Sequence, residues 1–85
     1  MQIVYSPRFE KDYNKLPHPI KEKAVNKEVI FKLDPFDKRL KTHKLSGELF
    51  GLWSFSIDYK YRIIFEFTSK KIVVFHAIGS HSIYF

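Results

Sequence analysis

The chain has no cysteine, and its 85 residues include only three glycines, four prolines and one methionine. Without thiols there is neither a disulfide framework nor a thiolate metal site. So few glycines, with no internal repeat and no low-complexity stretch, leave no linker, and residues 1–85 read as a single domain. The longest unbroken apolar run is Ile72–Phe75, far short of the roughly 20 residues a membrane-spanning helix needs. No signal-peptide core follows Met1, so a cytoplasmic globular domain that spans no membrane is expected. Acidic residues are scarce in the second half, where only Glu48, Asp58 and Glu66 lie beyond residue 45. A two-metal nuclease needs clustered carboxylates, and three scattered ones are thin for that chemistry. Phosphate-cradling glycine loops, Gly-x-Ser-x-Gly elbows and His-Glu-x-x-His motifs are all missing. The four histidines, at positions 18, 43, 76 and 81, lack metal-ligand spacing apart from a loose i, i+5 pair. Neither a metal nor a cofactor is expected.

What the chain does have is aromatic rings and positive charge. Nine Phe, five Tyr and one Trp make 18% of the residues, and apolar side chains make 45%, enough to pack a core and too much for a disordered chain. Fifteen Lys and Arg stand against nine Asp and Glu, a formal net charge of +6. Most of that excess falls in residues 1–45. Such a balance concentrates polyanions near the surface, so nucleic acid, an anionic membrane or an acidic partner are the natural candidates.

The patterning is α+β, with two N-terminal helices packed on a small antiparallel sheet in the order β-α-α-β-β-β. Gln2–Tyr5 reads as a short strand. Ser6 then Pro7 is a helix start, with a hydroxyl at the cap and a proline whose missing N–H costs nothing at the first position. Phe9, Tyr13 and Leu16 form one apolar stripe, and Pro17-His18-Pro19 ends the helix. A second helix is predicted from about Ile20 to Leu33, with Asp34-Pro35 as its stop. Its apolar residues cover much of the circumference, which implies contacts to both the sheet and the first helix. Asp37–Lys44 is charged and irregular. From Trp53 onward the period becomes two, and the short links predict a three-stranded meander over 52–78.

By elimination, the remaining chemistry is acid–base work by His, Lys and Arg. Arg62 sits mid-strand on the face it shares with Ile64 and Glu66 by alternation. A strand-centre arginine is costly to desolvate, so it is either paired, with Glu66 as the nearest partner, or used. His81 follows Gly79-Ser80 where a side chain can leave the sheet, and a histidine there serves as acid or base near neutral pH; an exposed terminal histidine is the plain alternative. His43, between Thr42 and Lys44 in the basic loop, suits phosphate contact or proton transfer, although on its own the plain reading as an exposed loop histidine prevails. His76 interrupts an apolar strand and reads as a hydrogen-bonded sheet residue, and His18, between prolines, as surface. Tyr84 and Phe85 either seal the core or offer a stacking platform for a base.

Several segments resemble the RelE/ParE superfamily of toxins: Lys-Leu-Ser-Gly-Glu-Leu from Lys44, Gly-Leu-Trp-Ser-Phe-Ser-Ile from Gly51, and Tyr-Arg-Ile-Ile-Phe from Tyr61. The opening Tyr-Ser-Pro-Arg-Phe-Glu-Lys-Asp-Tyr fits as well. The tail, Gly79-Ser80-His81 with Phe85 four residues on, is most similar to the YafQ-like branch. The resemblance implies the same α+β fold and a type II toxin that enters the ribosomal A site and cuts mRNA without a metal. In that chemistry the 2′-hydroxyl attacks the adjacent phosphate, which needs a base, an acid and cations on the developing charge. Carried over by position, Arg62 holds the phosphate, His81 is the general acid, and Phe85 orients the substrate; His43 is the candidate base, with the identity of the base left open. Lys44, Lys41, Arg39 and Lys60 are the expected cationic RNA contacts, with a merely solvated side chain as the plain alternative for Lys60. A cognate antitoxin protein, the ribosome and mRNA are the implied partners. Two departures stand out: Ala77 occupies the position of a second functional arginine, and the acidic and histidine residues those toxins bring from the loop before the third strand have no clean match in Ser56–Lys60. A gyrase poison of the ParE type, or a RelE-fold protein that binds without cutting, remain as rivals, since fold alone does not separate them.

Overall fold

The computed structural model of the chain describes residues 1–80. Helix α1 (Pro7–Asn14) starts as the sequence predicts: the Ser6 hydroxyl accepts the Phe9 N–H at 3.0 Å, and Pro7 takes the first helical position. Helix α2 runs His18–Leu33, beginning two residues earlier than expected because Pro19 fits the first turn, where no N–H partner is required. Five strands form one sheet: β1 (Gln2–Tyr5), β2 (His43–Lys44), β3 (Trp53–Ser56), β4 (Arg62–Phe67) and β5 (Ile72–Gly79), in the spatial order β1-β5-β4-β3-β2. The two-layer α+β architecture is as expected, but the sheet is mixed rather than wholly antiparallel. Strand β1 runs parallel to β5, with Ile3 opposite Val73 and Tyr5 opposite Phe75.

The physical reason lies in the connections. Short links fix the antiparallel direction of β3, β4 and β5, whereas β1 and β5 are far apart in sequence and no hairpin dictates their sense. What does dictate it is the chain leaving β1. Ser6 donates its N–H to the Phe75 carbonyl at 3.1 Å and its hydroxyl to the His76 carbonyl at 3.0 Å, which continues the parallel register straight into the cap of α1. Strand β2 is a strand the patterning missed. Two residues, His43 opposite Ser54 and Lys44 opposite Trp53, are too few to show alternation.

The core lies between the helices and one sheet face. Phe31 of α2 is fully buried and meets one phenylalanine from each central strand: Phe55 at 4.9 Å, Phe65 at 5.0 Å and Phe75 at 5.4 Å between ring centroids. Phe9 of α1 adds to this cluster through Phe75. Of the broad apolar circumference of α2, Val25, Val29 and Leu33 remain exposed, while Ala24 and Phe31 share a core cluster with Phe9 and Tyr13 of α1 and with the sheet, so α2 meets both from one side. The opposite sheet face carries a second, smaller cluster. There Ile64 and Ala77 are buried under Leu45 and Leu52, which the loop before β3 folds over them.

Between these faces the register slips once. Ile64 pairs with Ala77, yet its neighbour Phe65 pairs with Phe75, which leaves His76 as the extra residue of a β-bulge. On β5 this bulge lets Val73, Phe75 and Ile78 all enter the helix-side core.

Truncating Phe31 to alanine removes the ring that all three strands share. We expect a loss of about 3–5 kcal/mol of stability, read as a lower urea midpoint at unchanged slope, against well under 1 kcal/mol for Leu33→Ala on the exposed side.

Candidate functional site

Residues directly opposite in paired strands project to the same face. The pairs His43–Ser54, Ser54–Ile64 and Ile64–Ala77 therefore make one row across the outer face, with the helices on the other side. The next row is Ser56–Arg62–Gly79. Arg62 and His43 thus share a face, separated by about two strand spacings, roughly 10 Å across, and two residues, roughly 7 Å along. Arg62 is half-buried at the start of β4, while His43 is exposed at the sheet edge.

The protonation geometry of His43 follows from its neighbour. Nδ1 lies 3.0 Å from the carbonyl of Lys41. A carbonyl only accepts, so the neutral ring carries its proton on Nδ1 and presents Nε2 as the acceptor. Lys41 makes this possible by taking a left-handed backbone at φ 54°, which turns the chain into β2. An imidazole with an outward lone pair on a face bearing a half-buried arginine is suited to removing a proton beside an anion.

The cationic candidates are scattered by the fold. Lys44 alternates away from His43, its Nζ lying 5.4 Å from the centre of the Trp53 ring on the helix side. Arg39 grips Asp37 with two hydrogen bonds, Nε–Oδ1 at 3.0 Å and Nη2–Oδ2 at 2.9 Å, and that pairing holds the Asp37 carboxyl down at about 2. Lys41 is exposed at the edge. Lys60 lies in the β3–β4 loop with its Nζ 5.4 Å from the Tyr61 ring centre. His81 and Phe85 lie outside the described residues. His18 is exposed and pairs with Glu22 at 3.0 Å.

Two side chains on this face were given no catalytic part by the sequence reading. Glu66 does not meet Arg62 as the paired alternative supposed; its Oε1 takes the Nε2 of His76 at 2.9 Å. Simple alternation would put His76 and Ala77 on opposite faces. The bulge overturns that, because His76 reaches Glu66 on the face where Ala77 packs against Ile64. The signal in the sequence was the spacing of Val73, Phe75 and Ile78, which cannot all face one way in an unbroken strand. Among the described residues no three His, Asp or Glu side chains converge to hold a metal ion, and no helix is long and apolar enough to cross a membrane.

The loop beside Arg62 is fixed by Asp58. Burial pushes the Asp58 carboxyl up, but the N–H groups of Tyr61 and Lys60, at 2.8 and 2.9 Å, and the Lys23 ammonium at 3.4 Å outweigh it, and the net shift is downward.

A model of the family described as the bacterial toxin of type II toxin–antitoxin systems, YafQ, matches residues 1–85. The chain belongs to the YafQ family. Solved structures share its fold. The YoeB/ParE toxin from Agrobacterium tumefaciens superposes with a TM-score of 0.79 at 22% identity, covering 95% of this chain and 99% of that one. YafQ from E. coli strain BL21(DE3) gives 0.72 at 22% identity, covering 99% and 97%. The toxin of the E. coli DinJ–YafQ complex gives 0.70 at 23% identity, covering 99% and 97%. No curated protein matches the chain.

Two tests follow from this geometry. Ser6→Ala removes both the cap of α1 and the bond that holds the bulge, and should cost about 1–2 kcal/mol, with faster amide exchange concentrated at residues 75–78. Because the folded-state value of Asp58 lies below that of an unfolded chain, its stabilisation is full above the ordinary carboxylate value of about 4 and fades as pH falls through the depressed value. Asp58→Asn should therefore flatten the stability–pH curve below about pH 4, as followed by urea midpoints.

Proposed function

We propose that this YafQ-family toxin is a ribosome-dependent mRNA endonuclease that works from the outer sheet face in the bacterial cytoplasm. The observation that carries the reading is the placement of His43 and Arg62 on one face, with the Nδ1 of His43 against the Lys41 carbonyl. His43 removes the proton of a ribose 2′-hydroxyl, and the freed oxygen bonds to the neighbouring phosphorus. The bond from phosphorus to the 5′-oxygen breaks, and His81 returns a proton to that oxygen. The products are a 2′,3′-cyclic phosphate and a 5′-hydroxyl end. Arg62 offsets the charge that builds on the phosphate oxygens, and Phe85 orients the nucleotide. Lys41 and Lys60 supply further attraction to RNA; Arg39 and Lys44, engaged with Asp37 and Trp53, act at longer range.

The natural partner is a cognate antitoxin protein. An E. coli relative has been seen as a DinJ–YafQ toxin–antitoxin complex, and the net charge of +6 here favours an acidic inhibitor.

In a purified translation system, 5′ ends should appear within A-site codons only when ribosomes are present. His43→Ala and His81→Ala should each slow cutting about 10²–10⁴-fold, and Arg62→Ala by a comparable factor. Intact mRNA with the unaltered protein would contradict the reading and favour a non-cleaving binding protein, with Ala77 in place of the family arginine as the cause.

A further inference from the structure

A groove of about 390 Å³ opens on the outer face between the start of α1 and strands β4 and β5, lined by Ser6, Pro7, Arg8, Leu52, Glu66 and His76. Its walls are unlike in chemistry. Pro7 and Leu52 are flat or apolar, while Glu66 and His76 form a hydrogen-bonded pair at 2.9 Å. Arg8 also lines the groove, its Nε 3.4 Å from Asp12. The pair is held in place from below, since Ser6 binds the His76 carbonyl at 3.0 Å and fixes the bulge.

The Glu66 carboxylate only accepts hydrogen bonds. Its Oε1 is taken by the Nε2–H of His76, which sets the orientation of the group and leaves Oε2 to accept from a ligand. A planar ring that slides between Pro7 and Leu52 and offers an N–H donor would satisfy every wall. We propose that this groove is a nucleobase pocket for the mRNA, read by Glu66 through the exocyclic amino group of adenine, guanine or cytosine. Uracil is disfavoured, because its carbonyls flank its only ring donor and would face the carboxylate. Glu66 lies four residues along β4 from Arg62 on the same face, about 13 Å away, so a strand of RNA that follows β4 from Arg62 reaches the groove. An acidic antitoxin segment is a poor occupant, since the central polar group is itself a carboxylate. The inference rests on the proposed nuclease reading for its ligand, and its test is independent of cleavage.

The isotope-labelled protein is titrated with AMP, GMP, CMP and UMP, and amide shifts are mapped by NMR. We expect AMP, GMP and CMP to move the signals of Arg8, Leu52, Glu66 and His76, with UMP weaker on the order of tenfold. Glu66→Ala should abolish that difference, and Glu66→Asp should keep it in part. The same variants are then compared for codon preference in the translation system. Equal shifts with all four nucleotides, or none in the groove, would overturn the pocket even if mRNA is cut. Selective shifts without any cutting would uphold the pocket and remove the nuclease reading. Unchanged nucleotide shifts in Glu66→Ala, with weakened antitoxin binding, would overturn it and give the groove to the antitoxin.

Discussion

The contact that organises this molecule is the wedge of Phe31 among Phe55, Phe65 and Phe75. It demands that β3, β4 and β5 each turn a phenylalanine toward the helices. For β3 and β4 that demand agrees with plain alternation. On β5 it conflicts with the burial of Ile78, which is three residues beyond Phe75 and also belongs to the helix-side core. The strand resolves the conflict by a bulge at His76. The local cost of an unpaired ladder position is offset by burying another large aliphatic side chain. The same bulge presents His76 on the outer face, beside Glu66, with the hydroxyl of Ser6 holding its carbonyl. A packing requirement on one face thereby sets the chemistry of the other.

The outer face is neither bare nor uniformly polar. Leu45 and Leu52 cover Ile64 and Ala77, so an apolar strip runs between the Arg62 end of β4 and the Glu66–His76 pair. An arginine next to such a strip is less hydrated than one on an open surface, which strengthens its attraction for a phosphate. Ala77 fits this strip, where a longer cationic side chain would have to displace Leu45 or Leu52. The fold surrounding the strip is tied at its corners by Tyr5, which donates its hydroxyl to Glu28 and whose own ionisation burial and that carboxylate both oppose, and by Asp58, which binds the β3–β4 loop and Lys23 of α2.

Much of this was legible in the sequence. Ser6-Pro7 announces α1, Asp34-Pro35 ends α2, and the alternation from Trp53 gives the meander. These signals are local, and a linear reading captures local physics. Arg62 stood out because an arginine amid Ile63, Ile64 and Phe65 needs a reason. The parallel sense of β1 was hidden because it depends on bonds between residues about 70 positions apart, and β2 was hidden because two residues carry no period. The partition of the cations was equally hidden: which of His43 and Lys44 faces outward depends on the register with Ser54 and Trp53. The pairing of Glu66 with His76 rather than Arg62 required the bulge, whose trace in the sequence is the spacing of Val73, Phe75 and Ile78.

On the proposed function the outer sheet face, and not the helix layer, receives the mRNA. The most direct measurement is a cryo-electron microscopy map of the unaltered toxin on a ribosome whose A-site codon carries 2′-O-methyl groups, which remove the attacking hydroxyl and hold the complex before cleavage. The account predicts the codon lying across β4 and β5, with a phosphate against Arg62 and the His43 ring toward the blocked ribose oxygen. A codon resting against α1 and α2, with the outer face turned to solvent, would contradict it.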